Sequence, residues 1–236
     1  MVLLVHGLPG SHRDWRYLAA CLDGFRVVRL DMPGFGGSTD CGQAPDFDER
    51  ARFVIDVIAT LELTDPVVMG HSMGGPIAAM VANRLQGQVR AVGLIASPGL
   101  RRHRGAPNRV AQAVARLAAF PPLAWLIQRP LERAFRVAGF PSSLTHAGRV
   151  AAIRQVSTYD PARVAKEMRA LTVPTLVAFA DDDALVEPEI GEELAQGCPA
   201  GPRLHFSTGG HNIQKTQCEA LARSLREWLL APSATP

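Results

Sequence analysis

Val67-Val68-Met69-Gly70-His71-Ser72-Met73-Gly74-Gly75 is the stretch on which the reading of this sequence turns. A short apolar run, VVM, leads into G-x-S-x-G. Pro76 to Leu85 then shows helical spacing, with proline where the first turn of a helix tolerates it. A serine at such a strand-to-helix turn projects its hydroxyl above the sheet. Backbone atoms crowd there, so glycine is needed on either side. The helix N-terminus that follows aims N–H groups at any negative charge that develops.

Working outward, the same kind of apolar run recurs at 2–6 (VLLVH), 26–31 (RVVRLD), 91–96 (AVGLIA), 173–180 (VPTLVAFA) and 203–207 (RLHFS). Each is short and bounded by Gly, Pro or Asp, as buried strands tend to be. Helical patterns alternate with them: Trp15 to Leu22 behind Ser11 as an N-cap, Phe47 to Leu63, Pro188 to Gln196 and Gln217 to Leu230. Strands alternating with helices predict an α/β fold, a mostly parallel sheet flanked by helices on both faces. Residues 101–170 break the rhythm. Helical patches near 109–119, 123–138, 146–156 and 161–170 are separated by Pro and Gly, without a strand. This segment is expected to be a helical lid inserted in a core made of 1–100 and 171–236, closing over the C-terminal sheet edge where ligands bind.

A serine alcohol is a weak nucleophile near neutral pH and needs a base. Of seven histidines, His211 stands in Gly209-Gly210-His211, between the RLHFS strand and the last helix, on a loop at the same sheet edge as Ser72. His6 and His71 also lie near that edge, each within a turn motif of its own. A base of this kind needs a carboxylate to fix its tautomer. Asp181-Asp182-Asp183 ends the strand TLVAFA, again at that edge, whereas Ser97-Pro98-Gly99 follows AVGLIA and offers no acid. The order serine, acid, histidine along the chain is the one expected of such a constellation. His6-Gly7-Leu8-Pro9-Gly10 is a Gly-rich turn after the first strand. The backbone N–H of Leu8, with that of Met73, is the expected oxyanion hole.

Composition excludes several classes. The 236 residues are 47% hydrophobic and 20% charged with a net charge of +3, ordinary for a soluble globular protein. No apolar run approaches the ~20 residues that span a bilayer, so stable membrane insertion is not expected. MVLLVHG reads as a strand entering a turn rather than a secretory signal. The four cysteines form no C-x-x-C pair and no cluster with histidine, which points to free thiols in a reducing compartment and a cytoplasmic location. Between 101 and 170, twelve Arg and one Lys stand against three acids. These cations are spread among apolar residues without aromatic interleaving, so a solvated helix face is expected, and no nucleic-acid partner. The other reading of such an asymmetry is attraction to anionic substrates.

With HGLPG, DMPGFGGS at 31–38, GHSMGG at 70–75, ADDDALVEP at 180–188 and GGHN at 209–212, the sequence resembles the α/β-hydrolase superfamily, in its lidded serine-esterase-like branch, over nearly the whole chain. The resemblance implies Ser72 as nucleophile, His211 as base, and Leu8 and Met73 at the oxyanion positions. It puts the acid in a G-x-x-D pattern. Here Ala180 replaces the glycine, which points to Asp183, with Asp182 as the second choice. Members of this family usually carry more chain before HG, folded as two further edge strands. This sequence opens on the HG strand, either as a shortened variant or as a downstream start, so a six-stranded sheet with RVVRLD at an edge is expected, protected by Arg26 and Arg29.

The implied function is hydrolysis of a small carboxylic ester or related carbonyl substrate by nucleophilic acyl transfer, with no metal or organic cofactor. The same triad would serve a C–C bond, amide or thioester hydrolase or an acyltransferase. A non-catalytic binding protein of this fold is the remaining alternative.

Overall fold

The computed structural model describes residues 1–38, 46–107 and 158–231, together with positions 109, 112, 113, 133, 148, 149, 152 and 155. Among these described residues six strands form one parallel sheet: β1 Val2–Val5, β2 Val27–Arg29, β3 Val67–His71, β4 Ala91–Ile95, β5 Thr175–Ala180 and β6 Arg203–Phe206. Their order is β2-β1-β3-β4-β5-β6. Each expected strand is present, and RVVRLD does supply an edge, where Arg29 is exposed.

Registers follow the period of two that a sheet covered on both faces demands. In β1, Leu3 and Val5 join one apolar cluster while Val2 and Leu4 join the other. In β3, Val68 goes one way and Val67 and Met69 the other. Helices α2 (Phe47–Thr60), α3 (Gly74–Arg84) and α5 (Pro188–Gly197) cover the first face. The second is covered by α1 (Arg16–Ala20), α6 (Ile213–Thr216) and α7 (Cys218–Leu230). The doubly covered sheet explains why the strands read as continuous apolar runs rather than alternating ones.

Local differences from expectation have local causes. The first helical stretch opens as a 3₁₀ turn over His12–Trp15, because Ser11 and Asp14 form a capping box that starts it earlier. It stops at Ala20, ahead of the Asp23-Gly24 turn, in which Gly24 takes a φ of 85°. The short α6 between His211 and α7 was not anticipated; its cap residue Asn212 makes no side-chain cap bond. Of the four helical patches expected in 101–170, the first three fall largely outside the described residues. The fourth is α4 (Pro161–Arg169), capped by Asp160. It packs on α3, where Asn83 Nδ2 donates to the Glu167 carbonyl at 3.0 Å and to its carboxylate at 2.9 Å. No helix among the described residues is long and apolar enough to cross a membrane.

Candidate active site

Ser72 sits at the turn between β3 and α3 with a φ of 50°, a left-handed conformation that a non-glycine residue holds only when its surroundings enforce it. Its own N–H is tied to the Ile95 carbonyl at 2.9 Å. The flanking glycines are required by close approach. A Cβ at Gly70 would stand 2.1 Å from the Gly74 carbonyl oxygen, and one at Gly74 would stand 2.3 Å from that of Val5. The motif read from the sequence is thus a packing solution: two backbones cross where only glycine fits.

The three side chains expected to meet do meet. His211 Nε2 lies 2.9 Å from Ser72 Oγ, and its Nδ1 lies 2.8 and 3.0 Å from the two Asp183 oxygens. A carboxylate only accepts, so Nδ1 carries the proton and Nε2 is left to accept from the serine hydroxyl. Asp183 is buried. Burial pushes its pKa up. The hydrogen bond and charge of His211, with the N–H groups of Val186 and Leu185, outweigh burial and hold the carboxyl below its ordinary range. The N–H groups of Leu185 and Val186 bond its Oδ1 at 2.8 and 3.0 Å.

The neighbouring acids have different partners. Asp182 accepts from the N–H of Gly210 at 2.7 Å and of Gly209 at 3.1 Å, and so grips the loop that carries His211. Those two bonds, Gly210 first, lower its pKa. Asp181 pairs with His205 at the surface. Asp183 is therefore the acid behind the imidazole, and Asp182 is a tether of the histidine loop.

The HGLPG turn lies against the serine: a Cβ at Gly7 would stand 2.8 Å from Ser72 Cβ. Neither the Leu8 nor the Met73 N–H is hydrogen-bonded to another described residue. His6 holds this turn from below. Its Nδ1–H donates to the Gly7 carbonyl at 2.7 Å, and its Nε2 accepts the Met32 N–H at 3.0 Å. That links HGLPG to the DMPGFGGS loop, whose Asp31 gathers the N–H groups of His12 and Gly37 and the His12 ring. His6 is buried, and burial lowers its pKa, so it is neutral in this role.

Sequence reasoning missed His71. In the sequence it reads as part of the serine motif alone, yet its Nε2–H donates to the His211 backbone carbonyl at 2.7 Å. Burial, then the nearby His211, push its pKa down to about 3. The available signal was its place at the end of β3, one residue before the serine.

The model of the family described as alpha/beta hydrolase fold matches residues 1–217. The chain belongs to the alpha/beta hydrolase family. This hydrolase is similar to RutD of Variovorax paradoxus (strain S110), a protein named for carbamate hydrolysis, at 31% identity over 99% of this chain and 92% of that one. It is also similar to a non-heme haloperoxidase of Rhodococcus erythropolis, at 30% identity over 88% and 84% of the two chains. The enol-lactonase from Burkholderia xenovorans LB400 shares the hydrolase's fold, with a TM-score of 0.76 at 24% identity, over 97% of this chain and 90% of that one.

Proposed function

We propose that this hydrolase cleaves a small carboxylic ester or related carbonyl compound by acyl transfer to Ser72. The observation that carries the reading is the unbroken relay from Ser72 Oγ through His211 to the buried Asp183, at 2.9 and 2.8 Å. As Ser72 attacks the carbonyl carbon, His211 Nε2 takes the hydroxyl proton. Asp183 keeps the imidazole in the required tautomer and stabilises the imidazolium. The N–H groups of Leu8 and Met73 receive the oxyanion; one such donor is worth about 2.7–4 kcal/mol of barrier in a well-studied case. The imidazolium then gives its proton to the leaving alcohol. In the second half His211 activates water, the acyl–Ser72 bond breaks, and the acid departs. No metal or organic cofactor enters this cycle.

Residues 101–170, between β4 and β5, are the lid in this reading, with α4 as its anchor on α3. The substrate is a small molecule. The cysteine spacing, without a C-x-x-C pair, favours a reducing compartment and so a cytoplasmic site of action.

Turnover of a panel of p-nitrophenyl esters, thioesters and anilides by the protein and by its Ser72→Ala variant tests this. Ester cleavage that falls by a factor on the order of 10⁴ or more in the variant is expected. Cleavage that survives in Ser72→Ala contradicts the proposal.

A further inference from the structure

Two buried side-chain atoms, one on His103 and one on Tyr159, have no hydrogen-bond partner among the described residues. His103, in the segment after β4, is only 8% exposed, and its Nδ1–H donates to the Leu185 carbonyl at 3.1 Å. Its Nε2 is buried and unpaired. Tyr159, just before α4, is only 4% exposed; its Oη is likewise buried and unpaired. The two rings meet edge to face with centroids 5.6 Å apart. Buried polar atoms in proteins are nearly always satisfied, so an unpaired acceptor and an unpaired donor on two touching rings are free to bond a water or a ligand group.

Both groups are built in rather than loosely placed. Gln112 Nε2 donates to the Tyr159 carbonyl at 2.7 Å, and the Phe47 ring lies 6.3 Å from that of Tyr159. Gly105 N–H shares the Leu185 carbonyl with His103. Leu185 in turn donates its N–H to Asp183. His103 is therefore one residue's span from the triad acid. Tyr159 and Val186 belong to the same apolar cluster on which Leu8 and Met73 pack. Burial lowers the pKa of the imidazole and raises that of the phenol, so both groups stay uncharged near neutral pH. The imidazole, protonated at Nδ1, offers a lone pair at Nε2. The phenol offers a proton.

We propose that His103 and Tyr159 form a recognition point for an uncharged amide or hydroxyl carried by the substrate away from the bond that Ser72 attacks. The substrate N–H or O–H donates to His103 Nε2, and its oxygen accepts from Tyr159 O–H. A carboxylate fits poorly, since it has no proton for His103 and its charge would be desolvated beside a lone pair. The inference rests on the acyl-transfer reading above and deepens it by naming a substrate class.

The test compares p-nitrophenyl 4-acetamidobutanoate and 6-acetamidohexanoate with the chain-matched heptanoate and nonanoate, and with p-nitrophenyl esters ending in a carboxylate. Two variants are used. Tyr159→Phe removes only the hydroxyl. His103→Asn keeps an amide donor for Leu185 and deletes the Nε2 acceptor. For at least one chain length, each variant is expected to lower kcat/KM for the acetamido ester 10-fold or more, with alkyl esters within about twofold and thermal stability unchanged. Equal losses on alkyl and acetamido esters, or unchanged kcat/KM for the acetamido esters, would overturn the proposal. So would a wild-type preference for the carboxylate esters that both variants retain. If Tyr159→Phe does not fold, His103→Asn carries the same comparison. Saturation-transfer NMR with N-butylacetamide reads the site without turnover: binding to the wild type that both variants lose supports it, and binding that persists in both overturns it. A protein that binds this amide but leaves Ser72 unlabelled by a fluorophosphonate would keep the recognition point and lose the acyl-transfer reading.

Discussion

His71 Nε2–H reaches the backbone carbonyl of His211 across 2.7 Å, so the residue before the serine holds the residue opposite it. The two rings lie 4.9 Å apart, and Trp15 meets the His71 ring edge on. Removing this strut should misplace the imidazole without touching it. His71→Ala is expected to lower kcat on the order of 10-fold to 100-fold with little change in KM, because an ångström of misplacement is costly at the reacting centre. His71→Gln, which keeps an N–H at similar reach, should recover much of it. Steady-state kinetics on one ester checks the split. Equal loss in both variants would mean that the ring's packing, not its hydrogen bond, is what counts.

The pH dependence of stability follows from three histidines buried among the described residues. His6, His71 and His103 all have pKa values lowered from 6.5 by burial, His71 to about 3. Each binds protons more readily unfolded than folded. Their contribution is present in full above 6.5 and is lost as pH falls toward the folded values. The melting temperature should therefore decline from pH 6.5 downward. Asp183, held below the ordinary 3.8, adds a loss of the same sign lower down. Scanning calorimetry between pH 7.5 and 4 checks this, and His71→Gln should give a shallower decline.

The adjacent acids should separate cleanly by variant. Asp183→Asn is expected to drop kcat by about 10⁴-fold, as loss of the tautomer-setting carboxylate does elsewhere. Asp182→Asn removes only the acceptor for two loop N–H groups and should cost about 10-fold or less. The ratio of the two kcat values is the measurement; comparable losses would mean that Asp182 does more than tether.

These roles also mark the limit of what could be read in advance. The strands were legible because each is a short apolar run stopped by Gly, Pro or Asp. His211 was legible because its loop follows a strand at the serine's edge. Three consecutive aspartates carried no such label of their own, and only the resemblance to a G-x-x-D pattern ranked Asp183 ahead of Asp182. Their division of labour depends on which way each side chain leaves the turn after β5, and so on partners 24 to 28 residues away. His71 was opaque for the same reason: its partner is a backbone atom 140 residues distant, and hydrogen bonds to main chain leave no residue-type signature. The unpaired atoms of His103 and Tyr159 emerge only from burial, which periodicity does not report in a segment broken by Pro and Gly.

The elbow glycines give a stability prediction. Gly74→Ala places a methyl 2.3 Å from the Val5 carbonyl oxygen, a backbone atom that cannot step aside. A loss of about 1–3 kcal/mol or more is expected, with activity falling as Ser72 shifts. Gly37→Ala is the control, since its nearest neighbour would be an ordinary contact at 3.6 Å. Urea denaturation of both variants checks the contrast.

The central claim is that Ser72 itself takes the acyl group. Intact-protein and peptide mass spectrometry, on samples acid-quenched within milliseconds of mixing with a p-nitrophenyl ester, tests it most directly. The account predicts one acyl mass added to the peptide containing Ser72, accumulating with the burst of nitrophenolate and absent from Ser72→Ala. Steady turnover with no adduct on that peptide, or an adduct on another residue that persists in Ser72→Ala, would contradict it.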